Sequence, residues 1–181
     1  MHDRADALPR PRSTVSRLAL TSALTATLGF STTAPAQAGG GQSRMDRTER
    51  KVLRVINRVR AIHGLGRLYR NRSLSRSADF HCSDMLRADF FAHPSSNGTP
   101  FDARVRRFAR RSGRIGENLA WVSGVGERGI AKRIVSMWMA SPSHRAMILT
   151  PEFRSAGIAR RTGKLGSLRA VVFTADFSSV R

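Results

Sequence analysis

The sequence contains a single cysteine, Cys82, among 181 residues. One cysteine cannot form an internal disulfide, so an exported form of this chain must be held together by its hydrophobic core. Cys82 lies on the apolar side of a predicted helix, which is typical of a small buried thiol. A catalytic thiol needs an exposed position and a lowered pKa, and nothing around Cys82 indicates either.

Acidic residues are also scarce. The chain has 12 Asp and Glu against 32 Lys and Arg, which gives a formal net charge of +20. Because most of these cations are arginine, whose planar fork binds carboxylate and phosphate, we expect an anionic wall polymer or lipid as partner. A solvated, arginine-rich surface without a partner is the alternative. No dense basic run is interleaved with aromatic residues, so we predict no dedicated nucleic-acid site.

Long apolar runs are absent except near the N-terminus. Residues 18–30 are uncharged and largely apolar, four arginines precede them, and the small-residue sequence Ala36-Gln37-Ala38 follows. This order is typical of a secretory signal peptide cleaved after Ala38, and an uncleaved membrane anchor is the alternative. We therefore expect residues 1–38 to be a signal peptide and 39–45 a flexible leader. Residues 46–181 would form one secreted, extracellular, monomeric domain without a transmembrane segment.

The remaining chain changes from helical to strand-like periodicity. Apolar residues recur at helical spacing in its first part, and its last part holds two β-prone runs. The predicted helices cover residues 46–62, 73–89, 99–108, 127–140 and a short segment that starts near residue 143. The runs 155–161 and 168–177 predict an antiparallel hairpin with its turn at 162–166. This order predicts an α+β domain in which helices cover the faces of a small antiparallel sheet.

Short polar residues mark where several helices begin. Asp46 is placed to cap the first helix, with Glu49 in its first turn. Thr99 and Asp102 are placed to cap the helix that ends at residue 108, and Ser143 to cap the last short helix.

Three titratable side chains stand at the edges of apolar or tightly turned stretches: His93, Glu117 and His144. A polar group beside a hydrophobic segment must be hydrogen-bonded or charge-paired. The simplest arrangement brings the three groups together, so we predict that they meet in one cleft. Asn118 is expected to bond backbone in a turn after Glu117.

Four stretches in a fixed order resemble the CAP superfamily, also called the SCP or cysteine-rich secretory, antigen 5 and pathogenesis-related family. They are LRVINRVR at 53–60, FFAH at 90–93, GENLA at 116–120 and WMASPSHRAMIL at 138–149. The resemblance is closest to short bacterial members and covers nearly the whole chain after the leader. It implies an α-β-α sandwich with a central cavity lined by two histidines and two acidic residues.

Carried over by position, His93 and His144 match the two histidines of the family, and Glu117 matches the first acidic residue. The second acidic position is Ser141 here, so the set of four is incomplete, and the disulfides of the family are missing. Two imidazoles and one carboxylate are a sensible ligand set for Zn²⁺ with an open position, so these three residues are a candidate divalent-metal site. A hydrogen-bonded polar cluster without metal is the other interpretation.

The sequence thus leaves two functional hypotheses. The favoured one is a non-catalytic secreted domain that binds an extracellular ligand, wall component or lipid through its basic surface and a cleft. That cleft would contain His93, Glu117, His144, Asn118 and Ser141. The alternative is a metal-dependent extracellular hydrolase that uses the two histidines and the glutamate, although no catalytic residue is established.

Overall fold

The computed structural model describes residues 45–181 of the chain. The helices are α1 (Arg47–Ile62), α2 (Arg72–Arg87), α3 (Phe101–Phe108), α4 (Ile130–Ala140) and α5 (Pro142–Leu149). The strands are β1 (Tyr69–Arg70), β2 (Ile115–Ser123), β3 (Ser155–Leu165) and β4 (Leu168–Ser178). The predicted signal peptide and residues 39–44 of the predicted leader lie outside the described residues. Between residues 45 and 181, no helix combines the length and apolarity needed to cross a bilayer.

The start of α1 confirms the predicted cap. The Asp46 carboxylate accepts a hydrogen bond from the Glu49 amide at 2.7 Å, and the Glu49 carboxylate accepts one from the Asp46 amide at 2.6 Å. This capping box satisfies two amides that the first turn of a helix leaves unpaired. Met45, which the sequence pattern places in the flexible leader, is instead buried in the core. The packed domain therefore includes Met45.

The predicted caps of two shorter helices are wrong. Neither Thr99 nor Asp102 caps α3, because Pro100 occupies the N-cap position and no side chain bonds the first turn. Ser143 does not cap α5 either. The N-cap residue of α5 is Ser141, and proline follows at the first helical position, where its missing N–H removes one unpaired donor.

Two other helix starts also differ from the prediction. α4 begins at Ile130 rather than at Glu127, because Gly129 takes a left-handed conformation with φ of 86° that interrupts the helix. α2 is capped by Asn71, whose side chain accepts a hydrogen bond from the Leu74 amide at 3.1 Å. The sequence pattern predicts the start of this helix near residue 73 and indicates no cap.

The four strands form one sheet in the order β1-β3-β4-β2. β4 pairs antiparallel with both β3 and β2, whereas β1 runs parallel to β3. The sheet is therefore mixed rather than purely antiparallel, since the two-residue β1 is too short to give a periodic sequence signal. The hairpin turn is also shorter than predicted. β3 continues until Leu165 pairs with Leu168, and Gly166 turns the chain with a left-handed φ of 58°.

Helices cover both faces of this sheet. α1, α4 and α5 contact one face, where the larger core cluster includes Ile56, Trp138 and Phe173. α2 contacts β3 and β4 on the other face, where the second cluster includes Met85 and Val172. Neighbouring residues of β4 thus point into different layers, as the pleat of a strand requires. The predicted α-β-α sandwich is confirmed.

α2 approaches the sheet most tightly at Gly157 of β3. A Cβ atom there would lie 2.1 Å from the amide nitrogen of Ser75 and 2.2 Å from the carbonyl carbon of Leu74. These are backbone atoms of a helix, which cannot rotate away as a side chain can.

Further along α2, Cys82 is fully buried, and burial raises the pKa of its thiol to about 12. Cys82 is the inert, buried thiol that the sequence predicted.

A buried arginine fastens α1 to the segment after α5. Arg60 is 0% exposed, and its guanidinium donates to the carbonyl oxygens of Gly66, Ile148, Thr150 and Phe153 at 2.7–3.3 Å. Burial lowers the pKa of Arg60. No carboxylate within residues 45–181 pairs with it, so backbone dipoles alone compensate the charge.

Candidate ligand-binding cleft

The cleft is built around Glu117 on β2, a strand at one edge of the sheet. The Glu117 side chain is 0% exposed, and its Oε2 accepts a hydrogen bond from Nη2 of Arg104, which is 1% exposed. Arg104 lies on α3, and its Nη1 donates to the carbonyl oxygen of His93 at 2.9 Å. One buried guanidinium therefore joins α3, β2 and the loop after α2.

His93 closes the other side of the carboxylate. Its Nδ1 lies 2.9 Å from Oε1 of Glu117, while half of the imidazole, 49%, stays exposed. Facing a carboxylate, the Nδ1 atom is the donor, which leaves the other ring nitrogen, Nε2, for a ligand. The predicted neighbours His93 and Glu117 are thus in direct contact.

Opposing effects set the charge of Glu117. Burial by itself raises the pKa of the carboxyl, but the His93 hydrogen bond and the Arg104 guanidinium outweigh it and lower the pKa below its ordinary value. Glu117 is therefore ionised at neutral pH, and its charge is balanced inside the protein by Arg104.

A second carboxyl group lies directly behind the first. Asp176 of β4 is the cross-strand partner of Glu117, so both side chains stand on the same face of the sheet. Asp176 is 0% exposed, and neither of its oxygens has a hydrogen-bond partner, although Ser77 and Glu117 flank it. Burial, reinforced by the negative charge of Glu117 and opposed by Arg104, raises the pKa of Asp176 well above its ordinary value. The raised pKa favours the protonated form of Asp176 beside the Glu117 carboxylate.

His144 approaches from the opposite layer, on α5. Asn118, the residue after Glu117, points to that layer, and its Nδ2 donates to the His144 carbonyl oxygen at 3.0 Å. Burial lowers the pKa of His144, and the nearby His93 lowers it further. His93 and His144 are thus attached to opposite faces of the edge strand, His93 through Glu117 and His144 through Asn118.

Two predicted members of the cleft behave differently. Asn118 lies within β2 rather than in a turn, so the expected turn contact is wrong; its bond goes instead to the backbone of α5. Ser141 joins α4 to α5, and its hydroxyl lies 3.3 Å from that of Ser143. No hydrogen bond links Ser141 to the His93–Glu117 pair.

The geometry does not fit the predicted metal site. Within residues 45–181, no three His, Cys, Asp or Glu side chains are arranged to hold a metal ion. Both oxygens of Glu117 are engaged, and the positive charge of Arg104 beside this carboxylate disfavours a cation there. The site instead holds a carboxylate that is neutralised by Arg104 and in contact with the half-exposed His93 ring.

Sequence reasoning missed three buried members of this site. Arg104 is hidden among the many arginines, and Asp176 is the one charged residue in the β-prone run of β4 after Arg169. An acidic residue inside a β-prone run was the sequence feature that could have indicated Asp176.

His81 on α2 is 0% exposed, and its Nε2 bonds the Ala92 carbonyl oxygen at 2.9 Å. Burial lowers the pKa of His81, so this ring is neutral and holds the loop that carries His93.

Comparisons with known proteins agree with this fold. The model of the CAP, or cysteine-rich secretory protein, family matches residues 53–177. The uncharacterized protein YkwD of Bacillus subtilis is 34% identical over 111 residues, which are 61% of this chain and 41% of that protein. This chain therefore spans about two fifths of the length of that curated relative.

Two solved structures share the fold. An outer surface protein of Borrelia burgdorferi has a TM-score of 0.61 and 20% identity, and the match covers 74% of this chain and 95% of that one. An extracellular protein of Bacillus anthracis that contains an SCP domain has a TM-score of 0.58 and 23% identity, with 72% and 40% covered. At these identities the likeness concerns the fold. Because the family model covers most of the chain, this protein belongs to the CAP, or cysteine-rich secretory protein, family.

Proposed function

We propose that this protein is a secreted, non-catalytic CAP domain that binds an extracellular ligand, either a wall component or a lipid. Binding would use the cleft between His93 and His144 together with the basic surface. The observation that carries the proposal is the state of Glu117: its side chain is fully buried, and both oxygens are engaged by His93 and Arg104. A carboxylate whose two oxygens already accept hydrogen bonds from a ring N–H and a guanidinium is suited to positioning the His93 ring rather than to reacting itself.

The position of the imidazoles supports a binding role. The backbone of both residues is held in place, because Arg104 bonds the carbonyl oxygen of His93 and Asn118 bonds that of His144. The His93 ring is itself held by Glu117, so it loses little entropy when a ligand arrives. The cleft is thus suited to recognise hydrogen-bonding groups of a ligand.

Two observations support secretion. The N-terminal 38 residues have the pattern of a signal peptide, and two structural relatives are described as an outer surface protein and an extracellular protein. We propose that the mature protein begins after Ala38 and that its domain runs from Met45 to Arg181. The metal-dependent hydrolase is not favoured, because the donors in the cleft do not form a metal site.

The test is a sedimentation assay with purified cell wall and, separately, with vesicles containing anionic lipid, both at low salt. The wild type is compared with a His93→Gln, His144→Gln variant and with a His63→Gln control, since His63 is exposed at the end of α1. We expect wild type and control to bind one of the two materials, and the cleft variant to bind it more weakly. Equal binding by all three proteins, or no binding to either material, would contradict the proposal.

A further inference from the structure

The solvent-facing side of α1 carries a row of positive charges. Arg47, Lys51, Arg54 and Arg58 are all exposed. Steps of three or four residues bring side chains to the same side of a helix, so the four lie in one line. At about 1.5 Å of rise per residue the line is about 17 Å long, with about 4.5–6 Å between successive cations.

These charges have no counter-charge close by. Within residues 45–181, none of the four cations forms an ion pair. The carboxylates at the start of α1 are engaged elsewhere: Asp46 and Glu127 accept hydrogen bonds from Arg160, and Glu49 bonds the Arg160 amide and the helix cap. An unbalanced row of like charges on one helix repels itself and attracts a polyanion.

The neighbouring helix extends the positive surface. α4 packs beside α1, contains no acidic residue, and exposes Lys132 and Arg133. The α1–α4 layer therefore exposes cations on α1 from Arg47 to Arg58 and at the start of α4.

We propose that this surface, which we call the α1 cationic row (Arg47, Lys51, Arg54 and Arg58), binds a linear phosphate-bearing polymer. The proposal rests on the proposed function and names the ligand class for its basic surface. Three of the four cations are arginine, whose guanidinium fork matches phosphate oxygens in a bidentate contact. A line of regularly spaced cations fits a chain of regularly spaced anions.

Two observations separate this polymer from other anionic partners. A helix that lies in a bilayer surface inserts its apolar face, but Val52 and Ile56 of α1 are fully buried in the core, and Ile62 is the one large apolar side chain that α1 exposes. Single-stranded nucleic acid is held partly by stacking on aromatic side chains, and α1 has none. The row therefore offers contacts to a charged polymer backbone and none for stacking bases.

The test uses inorganic polyphosphate as the probe and measures binding by fluorescence anisotropy from 50 to 200 mM salt. The row variant carries Gln at positions 47, 51, 54 and 58. The matched control carries Gln in place of Arg106, Arg107, Arg110 and Arg111. These four arginines are exposed, and replacing them removes the same charge as the row variant does. Gln resembles Arg and Lys in helix propensity, and thermal unfolding of both variants checks the fold.

Release of counterions sets the expected size of the effect. Four phosphate contacts contribute about 2.8 to the slope of log affinity against log salt, or about a 50-fold loss of affinity between 50 and 200 mM. We expect the row variant to lose this contribution and the control to keep most of it.

Four results would overturn the inference. The row variant could bind as tightly as wild type, or the two variants could weaken equally, so that net charge alone explains binding. The wild type could also fail to bind polyphosphate while it binds phosphatidylglycerol vesicles or cell wall. That result would leave the proposed function intact. Failure of the wild type to bind any of these materials would contradict both proposals.

Discussion

The buried carboxyl groups of Glu117 and Asp176 lead to a prediction for the variant Glu117→Gln. Glu117→Gln removes the partner of Arg104, a guanidinium that is 1% exposed. Removing one member of a buried ion pair costs about 3–5 kcal/mol when the other charge is left alone. Here Asp176 lies beside the vacated charge. Without the repulsion of Glu117, Asp176 releases its proton and takes over as the partner of Arg104.

The expected magnitudes follow from this replacement. Glu117→Gln alone should lower the free energy of unfolding at pH 7 by less than about 3 kcal/mol, since Asp176 compensates. Asp176→Asn alone should leave it unchanged or raise it, because a neutral amide replaces an acid whose raised pKa costs stability at this pH. The double variant has no carboxylate for Arg104 and should lose the full 3–5 kcal/mol or so. The coupling between the two sites is then about 2 kcal/mol.

The pair of Glu117 and Asp176 also predicts how the stability of the protein depends on pH. The pKa of Asp176 is raised in the folded protein, so the folded state holds its proton more tightly, and stability falls as pH rises above the unfolded value of about 3.9. Asp176→Asn removes that loss, and its advantage over wild type should grow from pH 4 to pH 7. The pKa of Glu117 is lowered, so its stabilisation is present above about pH 4.3 and disappears in acid.

Urea unfolding of the wild type, both single variants and the double variant measures these quantities, provided that the m-values agree. Asp79→Asn is a suitable control, because its carboxylate pairs with Arg161 at the surface and should contribute little. If the effects of the two core substitutions simply add to within about 0.5 kcal/mol, Asp176 does not replace Glu117 as the partner of Arg104.

Three further predictions concern other parts of the molecule. Calorimetric titration with Zn²⁺ should show no binding that a His93→Ala, His144→Ala variant abolishes, and a stoichiometric site lost in that variant would refute this expectation. Arg60→Lys keeps the charge but not the four carbonyl contacts, so urea unfolding should show a loss of about 2–3 kcal/mol, against almost none for Arg58→Lys. Gly157→Ala drives a Cβ into the backbone of α2 and should lower stability by about 3 kcal/mol, whereas Gly66→Ala, with no atom within 4 Å, should not.

Much of the fold could be predicted from local patterns. The apolar spacing of α1 and its capping pair Asp46 and Glu49 identified that helix almost to the residue. The long hairpin was also visible, because β-branched and apolar residues recur on both sides of Gly166. The prediction failed where the backbone conformation of a single residue decided how a helix starts. The left-handed Gly129 delays α4, and proline displaces the expected cap of α3.

The site was only partly predictable. The contact between His93 and Glu117 followed from the ordered motifs, but the charge state of Glu117 depends on residues far away in the chain. Arg104 is one of many arginines, and its burial depends on how α3 packs against β2. Asp176 meets Glu117 only through the register of β2 with β4, which no local pattern reveals.

The most direct measurement of the charge held in the cleft is a pH titration of the side-chain carboxyl carbons by ¹³C NMR. Signals of Glu117 and Asp176 can be assigned by their loss in Glu117→Gln and Asp176→Asn. The structure predicts that the pKa of Glu117 lies below the ordinary range of a glutamate and that of Asp176 well above the range of an aspartate. A protonated Glu117 beside an ionised Asp176 at pH 6 would contradict this assignment and reopen the cleft to acid–base and metal chemistry.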